Sequence, residues 1–391
     1  RSSDLPQLTR EQGTSGNYGL MDQFKALDWV SKNISAFGGD PDNITAGGQS
    51  GGALKCCVMA ASPASRGRIK RVINQSGNKW MIPFKSLKSQ EELGKRYLRY
   101  AGIDPDISVE ELRNMDTHTL YKDAPRVLLP GDMVYDSDLI PYRSVRELFE
   151  HGLENVDFIN GADDGEAEGF AESVSGLNEV PVRKFINGIR SSMDFYAHFR
   201  NLLGTLYDKY DFGNLVKVTD ENAWDMARFL ANRGLCGSEG MNVSRNLMLK
   251  RYFGMYMRER HPGNHCYSYL WTHQLPCPQE DKGTPLDPAN TLAWHSTELW
   301  FTFASLREGI PPHRPWREID YRLADIISTY WANFIKTGNP NEEGLPWWPE
   351  SGADYGYMEL GDTCSGHQGI DGELEQLILE FVRAEYKLEE R

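Results

Sequence analysis

The sequence predicts an α/β fold, a mostly parallel central sheet flanked by helices, carried as a single domain over residues 1–391. Two observations lead there. Residues 42–47 read as a strand, Gly48-Gln49-Ser50-Gly51-Gly52 as a sharp turn, and residues 53–60 as a buried helix, after which Ile69-Lys70-Arg71-Val72-Ile73-Asn74 returns as a second strand. Strand, helix and strand at that interval make a parallel βαβ unit. Third and fourth strands are expected at 156–160 and 266–272. The helical stretches between them give the alternation of a parallel sheet.

Taken in order, residues 1–16 are a polar loop. Leu20, Phe24, Leu27, Val30, Ile34 and Phe37 then fall on one face of a helix that stops at Gly38-Gly39-Asp40-Pro41. Surface helices are expected at 89–100 and 108–123, the second opening with the capping box Ser108-Val109-Glu110-Glu111. A loop rich in Pro, Gly and Asp (129–141) leads to a helix at 143–151. Residues 180–260 form a helical insertion rich in Tyr, Phe and Met, broken at Gly188, Gly204, Gly213 and Gly234. Such an insertion serves either as a lid over a pocket or as helices packed on the sheet. Leu323, Ile327, Tyr330 and Phe334 line a helix with a glycine stop at Gly338, and Leu374, Leu377, Ile378, Phe381 and Leu388 mark the last amphipathic helix.

Ten Trp, 18 Tyr and 16 Phe supply a large core and an aromatic-lined pocket. A formal net charge of -14 argues against nucleic acid or an anionic membrane surface as partner. No apolar stretch is long enough to span a bilayer. The cysteines at 56, 57, 236, 266, 277 and 364 lack metal-ligand spacing; Cys56 and Cys57 read as small core residues, and Cys236 with Cys266 or Cys277 is left open as a pair. This usage favours a reducing, cytoplasmic compartment over a secreted one. The glycosylation sequons at Asn33, Asn43 and Asn242 are read as chance matches.

The chemistry centres on Ser50. In G-x-S-x-G after a strand and before a helix, the serine sits on a strained turn with its hydroxyl exposed at the carboxyl end of the sheet. Gly48 and Gly52 suit a turn too tight for side chains on either side. The helix directs its positive end toward a developing oxyanion. A serine hydroxyl needs a base, and the base needs a carboxylate, in the chain order Ser, Asp/Glu, His. Asp163, Asp164, Glu166 and Glu168 crowd one loop after the third strand. Most of them are expected to be solvated and one buried against an imidazole. Among nine histidines, His295 closes a long loop before an apolar run, with His273 a rival just past a strand.

At this point several blocks resemble the type-B carboxylesterase and cholinesterase family of α/β-hydrolases. They are Gly16-Asn17-Tyr18-Gly19-Leu20-Met21-Asp22-Gln23, Ala26-Leu27-Asp28-Trp29-Val30, residues 33–41 running into the elbow, Gln75-Ser76-Gly77, His295-Ser296-Thr297-Glu298-Leu299, and residues 333–340. The resemblance covers nearly the whole chain. It implies the α/β-hydrolase fold, Ser50 as nucleophile, His295 as general base and Glu166 as the orienting acid. It also implies the Gly51 N–H as one oxyanion donor. Gly165 stands where the family usually has Asp and Ala167 where it has Gly, which keeps Glu168 and Asp164 as alternatives to Glu166. Gln49 replaces a common Glu, and Gly51 a common Ala.

The family's glycine-rich oxyanion loop and first strands lie upstream of the block at which this sequence starts. The expectation is therefore an N-terminal polypeptide segment that completes the sheet and the oxyanion hole. The implied activity is hydrolysis of carboxylic esters, with an apolar or aromatic small-molecule ester as substrate and no metal or organic cofactor. The alternatives are a catalytically silent adhesion or binding protein on the same fold, or hydrolysis of amide, lactone or thioester bonds.

Overall fold

The computed structural model describes residues 4–388 except 66, 78–79, 82, 121–132, 136–138, 167–187, 238–245, 285–286 and 310–312. The sequon at Asn242 and the first part of the expected insertion fall outside the described residues. The chain packs as two compact units, one of residues 1–44, 58–69 and 80–153, the other of 45–57, 70–79 and 154–391.

Eight strands are described: β1 (Ile44–Gln49), β2 (Ile69–Gln75), β3 (Lys85–Ser86), β4 (Val134–Tyr135), β5 (Asp157–Asp163), β6 (Cys266–Trp271), β7 (Tyr357–Leu360) and β8 (Cys364–His367). Six form one sheet in the order β1-β2-β5-β6-β7-β8. The β2/β5, β5/β6 and β6/β7 pairs are parallel and β7/β8 is antiparallel. This is the mostly parallel sheet with flanking helices that the resemblance implies.

In the second unit, helices cover both faces because successive side chains of a strand point opposite ways. Ile159, Tyr267, Tyr269 and Trp271 join one buried cluster with Leu323, Ile327, Tyr330, Trp331 and Phe334 of the helix Glu318–Thr337. Phe158, one residue from Ile159, meets Phe253 of the helix Leu247–Arg260 edge-on at 5.4 Å. The last helix of the insertion is thus sheet packing. Gly161 lies opposite Tyr269 on β6, and a Cβ there would come within 2.2 Å of the tyrosine ring. The Glu318–Thr337 helix ends as expected: Gly338 takes φ +86° and its N–H returns to Phe334 O at 2.8 Å.

The first unit is held by helix caps and by contacts between segments far apart in sequence. Ser108 with Glu111 and Ser144 with Glu147 close reciprocal capping boxes. Leu5, Tyr97, Leu98 and Ile103 form its small apolar cluster. Asn17 bonds the backbone of Val134 in both directions, at 2.8 and 3.0 Å, and β3 pairs parallel with β4.

Four expectations are adjusted. Residues 1–16, read as a loop, contain a helix at Pro6–Gln12 that starts on a proline and ends at Gly13, φ +80°. The helix Tyr18–Asn33 gives way to a tighter 3₁₀ turn at Ile34–Phe37, so Phe37 rotates off the apolar face and is 72% exposed. The stretch 108–123 breaks after Asn114, because Met115 is extended and Asp116 Oδ1 takes the His118 N–H at 2.8 Å. Strands β7 and β8 escape the sequence pattern: each has four residues, and Cys364-Ser365-Gly366-His367 lacks the branched side chains that mark strands. All six cysteines are free thiols. Among the described residues no helix is long and apolar enough to cross a membrane.

Candidate active site

Ser50 joins β1 to the helix Gly51–Ala61 with φ +57°, the left-handed region that a non-glycine residue enters at a cost. One hydrogen bond and two close backbone approaches at glycines hold it there. Its N–H donates to Gln75 O on β2 at 2.8 Å. A Cβ at Gly48 would come within 2.6 Å of the Gly52 carbonyl carbon, and one at Gly77 within 2.0 Å of Ser50 O. Gly52 itself has open space around the same added atom, so the turn is tight on one side only. This departs from the expectation that both elbow glycines are sterically required. Gly51 is exposed at the first helical position, where backbone N–H groups lack intrahelical acceptors.

His295 arrives on a loop with two more left-handed residues, Leu292 at φ +53° and Ser296 at φ +79°. The loop is fastened to the end of β5. Gly165 N–H donates to Ala293 O at 2.8 Å, and Asp163 Oδ2 accepts from Thr297 N–H at 3.2 Å and from its hydroxyl at 3.4 Å. A side chain at 165 would meet Thr291 O at 2.4 Å, which accounts for the glycine found there.

Glu166 is fully buried, and its Oε1 lies 2.6 Å from Nδ1 of His295, itself 8% exposed. The other ring nitrogen, Nε2, is 2.9 Å from the side-chain nitrogen of Gln49. An amide nitrogen only donates, so this contact assigns the lone pair to Nε2 and the proton to Nδ1, directed at Glu166. Glu166 and His295 are therefore brought together directly. Among the described residues the Ser50 hydroxyl makes no hydrogen bond to the ring; its chain neighbour Gln49 occupies that nitrogen instead. The alternatives to Glu166 point elsewhere. Asp164 faces Arg233 at 3.8 Å, and Glu168 lies outside the described residues.

His273 is buried between two carboxylates, with Nε2 2.6 Å from Asp320 and Nδ1 2.5 Å from Asp362. Arg317 also reaches Asp320, at 2.9 Å. Each ring nitrogen faces a carboxylate, and Arg317 also comes within 3.3 Å of Nε2, so neither nitrogen is open toward Ser50. Near His295 the carboxylates are less solvated than expected: Asp163 and Glu166 are fully buried and Glu298 is 1% exposed. The sequence offered a signal for Glu298 in the His-Ser-Thr-Glu-Leu block, but none for its proximity to Asp163. Beside Gln49 opens a cavity of about 530 Å³ whose lining includes Ile73, Leu299, Phe303, Trp331 and Ile335.

Comparison with known proteins matches the carboxylesterase family across residues 8–376. Carboxylesterase 1F of Mus musculus is 24% identical over 93% of this chain and 64% of its own length. The medium-chain fatty acyl-CoA hydrolase precursor of Anas platyrhynchos is 26% identical over 90% of this chain and 60% of its own. Bile salt-activated lipase of Homo sapiens is 27% identical over 90% and 46%. The chain thus spans less than two thirds of the length of each of these relatives. With a mostly parallel sheet, a strained serine at the mouth of the helix after β1, and a match running through nearly all of its length, this chain belongs to the carboxylesterase family.

Proposed function

We propose that this chain carries the reaction centre of a serine carboxylic ester hydrolase, with Ser50 as nucleophile, His295 as general base and then acid, and Glu166 as the carboxylate that orients His295. The observation that carries this reading is the buried 2.6 Å contact between Glu166 and His295 Nδ1, next to a serine held at φ +57°. The Gln49 amide first swings off Nε2. Ser50 Oγ then attacks the ester carbonyl carbon as Nε2 takes the hydroxyl proton, and the carbonyl π-electrons move to oxygen. Collapse of the tetrahedral adduct expels the alkoxide, which leaves with the proton from Nε2. Water, deprotonated by the same nitrogen, attacks the acyl-enzyme and releases the acid with Ser50 restored. Glu166 stabilises the imidazolium at both stages. The Gly51 N–H is one oxyanion donor, and each such donor is worth roughly 3 kcal/mol.

A strand-bearing segment beyond this chain would complete the oxyanion hole. Among the described residues β1 is the terminal strand of the sheet, and its residues are half-buried or exposed. Fast hydrogen exchange at the outward amides of β1 in the purified protein would count against a paired edge. The apolar side chains around the adjoining cavity suit an apolar acyl or alcohol group. The name of the duck relative supports a second reading on the same centre, a thioester as the bond attacked.

The test is pre-steady-state hydrolysis of a p-nitrophenyl ester beside a panel of thioesters. The expected result is a burst of p-nitrophenol that Ser50→Ala abolishes, with turnover reduced by roughly 10⁴-fold or more. Turnover that Ser50→Ala leaves unchanged would sink the reading. No burst in the unsubstituted protein on any substrate would favour the silent binding role.

A further inference from the structure

We propose that Asp163 and Glu298 share a single proton, and that this neutralised carboxyl pair anchors the loop that positions His295. The two side chains lie within hydrogen-bonding reach of one another and are no more than 1% exposed. Asp163 Oδ2 accepts from Thr297, and Glu298 Oε1 accepts from the Gln75 side-chain amide at 3.1 Å. That leaves Asp163 Oδ1 and Glu298 Oε2, both buried, with no hydrogen-bond donor among the described residues. Two carboxylate oxygens cannot satisfy each other while both are ionised. One proton between them makes one a donor and the other an acceptor, and removes a charge whose burial costs several kcal/mol.

The groups that face the pair reinforce this. Glu166 supplies a third buried carboxylate, Tyr269 of β6 a hydroxyl, and His295 a basic ring. Burial first, and then the neighbouring Glu298 and Glu166 charges, hold the Asp163 carboxyl well above the usual carboxylate range; burial and Glu166 raise Glu298 as well. Thr297 and Glu298 follow His295 by two and three residues, so the pair ties the end of β5 to the loop carrying the imidazole. With the proton in place, two negative charges face that imidazole; without it, three carboxylates repel in a closed space.

Because Asp163 titrates higher in the folded state than unfolded, its contribution to stability is full below the unfolded value and is lost as pH rises through the folded one. An amide always donates, so Asp163→Asn keeps the contact at every pH. This inference rests on the reading of His295 as the base, but its main readout is independent of catalysis. Thermal unfolding of the full chain and of Asp163→Asn is followed from about pH 4 to alkaline pH. The expected result is a melting temperature that falls with pH in the unsubstituted protein and falls by a few degrees less in Asp163→Asn. A constant offset between the two across that range overturns the proposal. Should Asp163→Asn fail to fold, Glu298→Gln is measured in the same way, and the infrared spectrum of the unsubstituted protein decides alone. A protonated-carboxyl C=O band at neutral pH supports the shared proton, and its absence overturns it. For the positioning role, the alkaline limb of kcat/KM should flatten in Asp163→Asn; an unchanged limb removes that role. Loss of the ester burst in all forms, with the melting and infrared results as expected, would instead refute the reaction centre and leave the shared proton standing.

Discussion

Two buried histidines in the second unit share almost the same first contact and differ in the second. Each presents Nδ1 to a carboxylate, His295 to Glu166 at 2.6 Å and His273 to Asp362 at 2.5 Å. At Nε2 they part: His273 meets Asp320 at 2.6 Å, whereas His295 meets the Gln49 amide at 2.9 Å. A second carboxylate closes the His273 ring between two acids and cross-links β6, the β7–β8 turn and the start of the Glu318–Thr337 helix. An amide only donates, so on His295 it is matched by a lone pair at Nε2 and blocks that nitrogen with a single neutral contact. One partner therefore separates a structural clamp from a candidate base.

The sharpest way to break this comparison is to remove each ring in turn. His295→Ala should lower kcat by roughly 10⁴-fold or more, with a loss of stability as well because Glu166 is left buried without its imidazole. His273→Ala should leave kcat per folded molecule within a few-fold but lower stability by about 3 kcal/mol, since the buried Asp320 keeps only Arg317 as its charged partner. Urea unfolding beside active-site titration reads both, and a reversed pattern would exchange the two roles.

The next test uses pH. Burial alone would raise the Asp320 carboxyl, but hydrogen bonds from His273 and Arg317 outweigh it and bring the value down to about 2. The stabilisation this supplies is present above the unfolded carboxylate value and is lost as pH falls toward the folded one. Asp320→Asn should cost about 2–3 kcal/mol at neutral pH. The difference from the unsubstituted protein should close between roughly pH 4 and pH 2. A gap that stays constant in acid would show the clamp to be packing rather than charge.

The smallest expected effect sharpens the other side. Gln49→Leu removes the donor on His295 Nε2, a hydrogen bond worth about 1 kcal/mol. Phosphonylation of Ser50 by a fluorophosphonate probe should then accelerate about fivefold. Slower labelling would mean that the amide helps the ring rather than restrains it.

Much of this was legible in order along the chain. The βαβ unit around Ser50, the capping box at Ser108 and the glycine stop at Gly338 are local patterns, each set by the conformational preferences of a few neighbouring residues. Their boundaries moved only slightly, as with β1, expected at 42–47 and found at Ile44–Gln49. The nucleophile candidate was legible for the same reason, since a strand–turn–helix serine is a short-range feature. Glu166 and His295 were singled out by a family resemblance, and their distance of 129 residues in sequence is beyond any local rule.

The amino-acid order by itself determined where strands and helices form, which serine sits on the strained turn, and which carboxylates and histidines compete for the site. Only the tertiary structure decided the partners: Gln49 on one histidine and Asp320 on the other, and Asp163 against Glu298 instead of water. The physical reason is that hydrogen bonds and burial act over a few ångströms in space. Side chains tens to hundreds of residues apart acquire their chemistry only when the sheet brings their loops together.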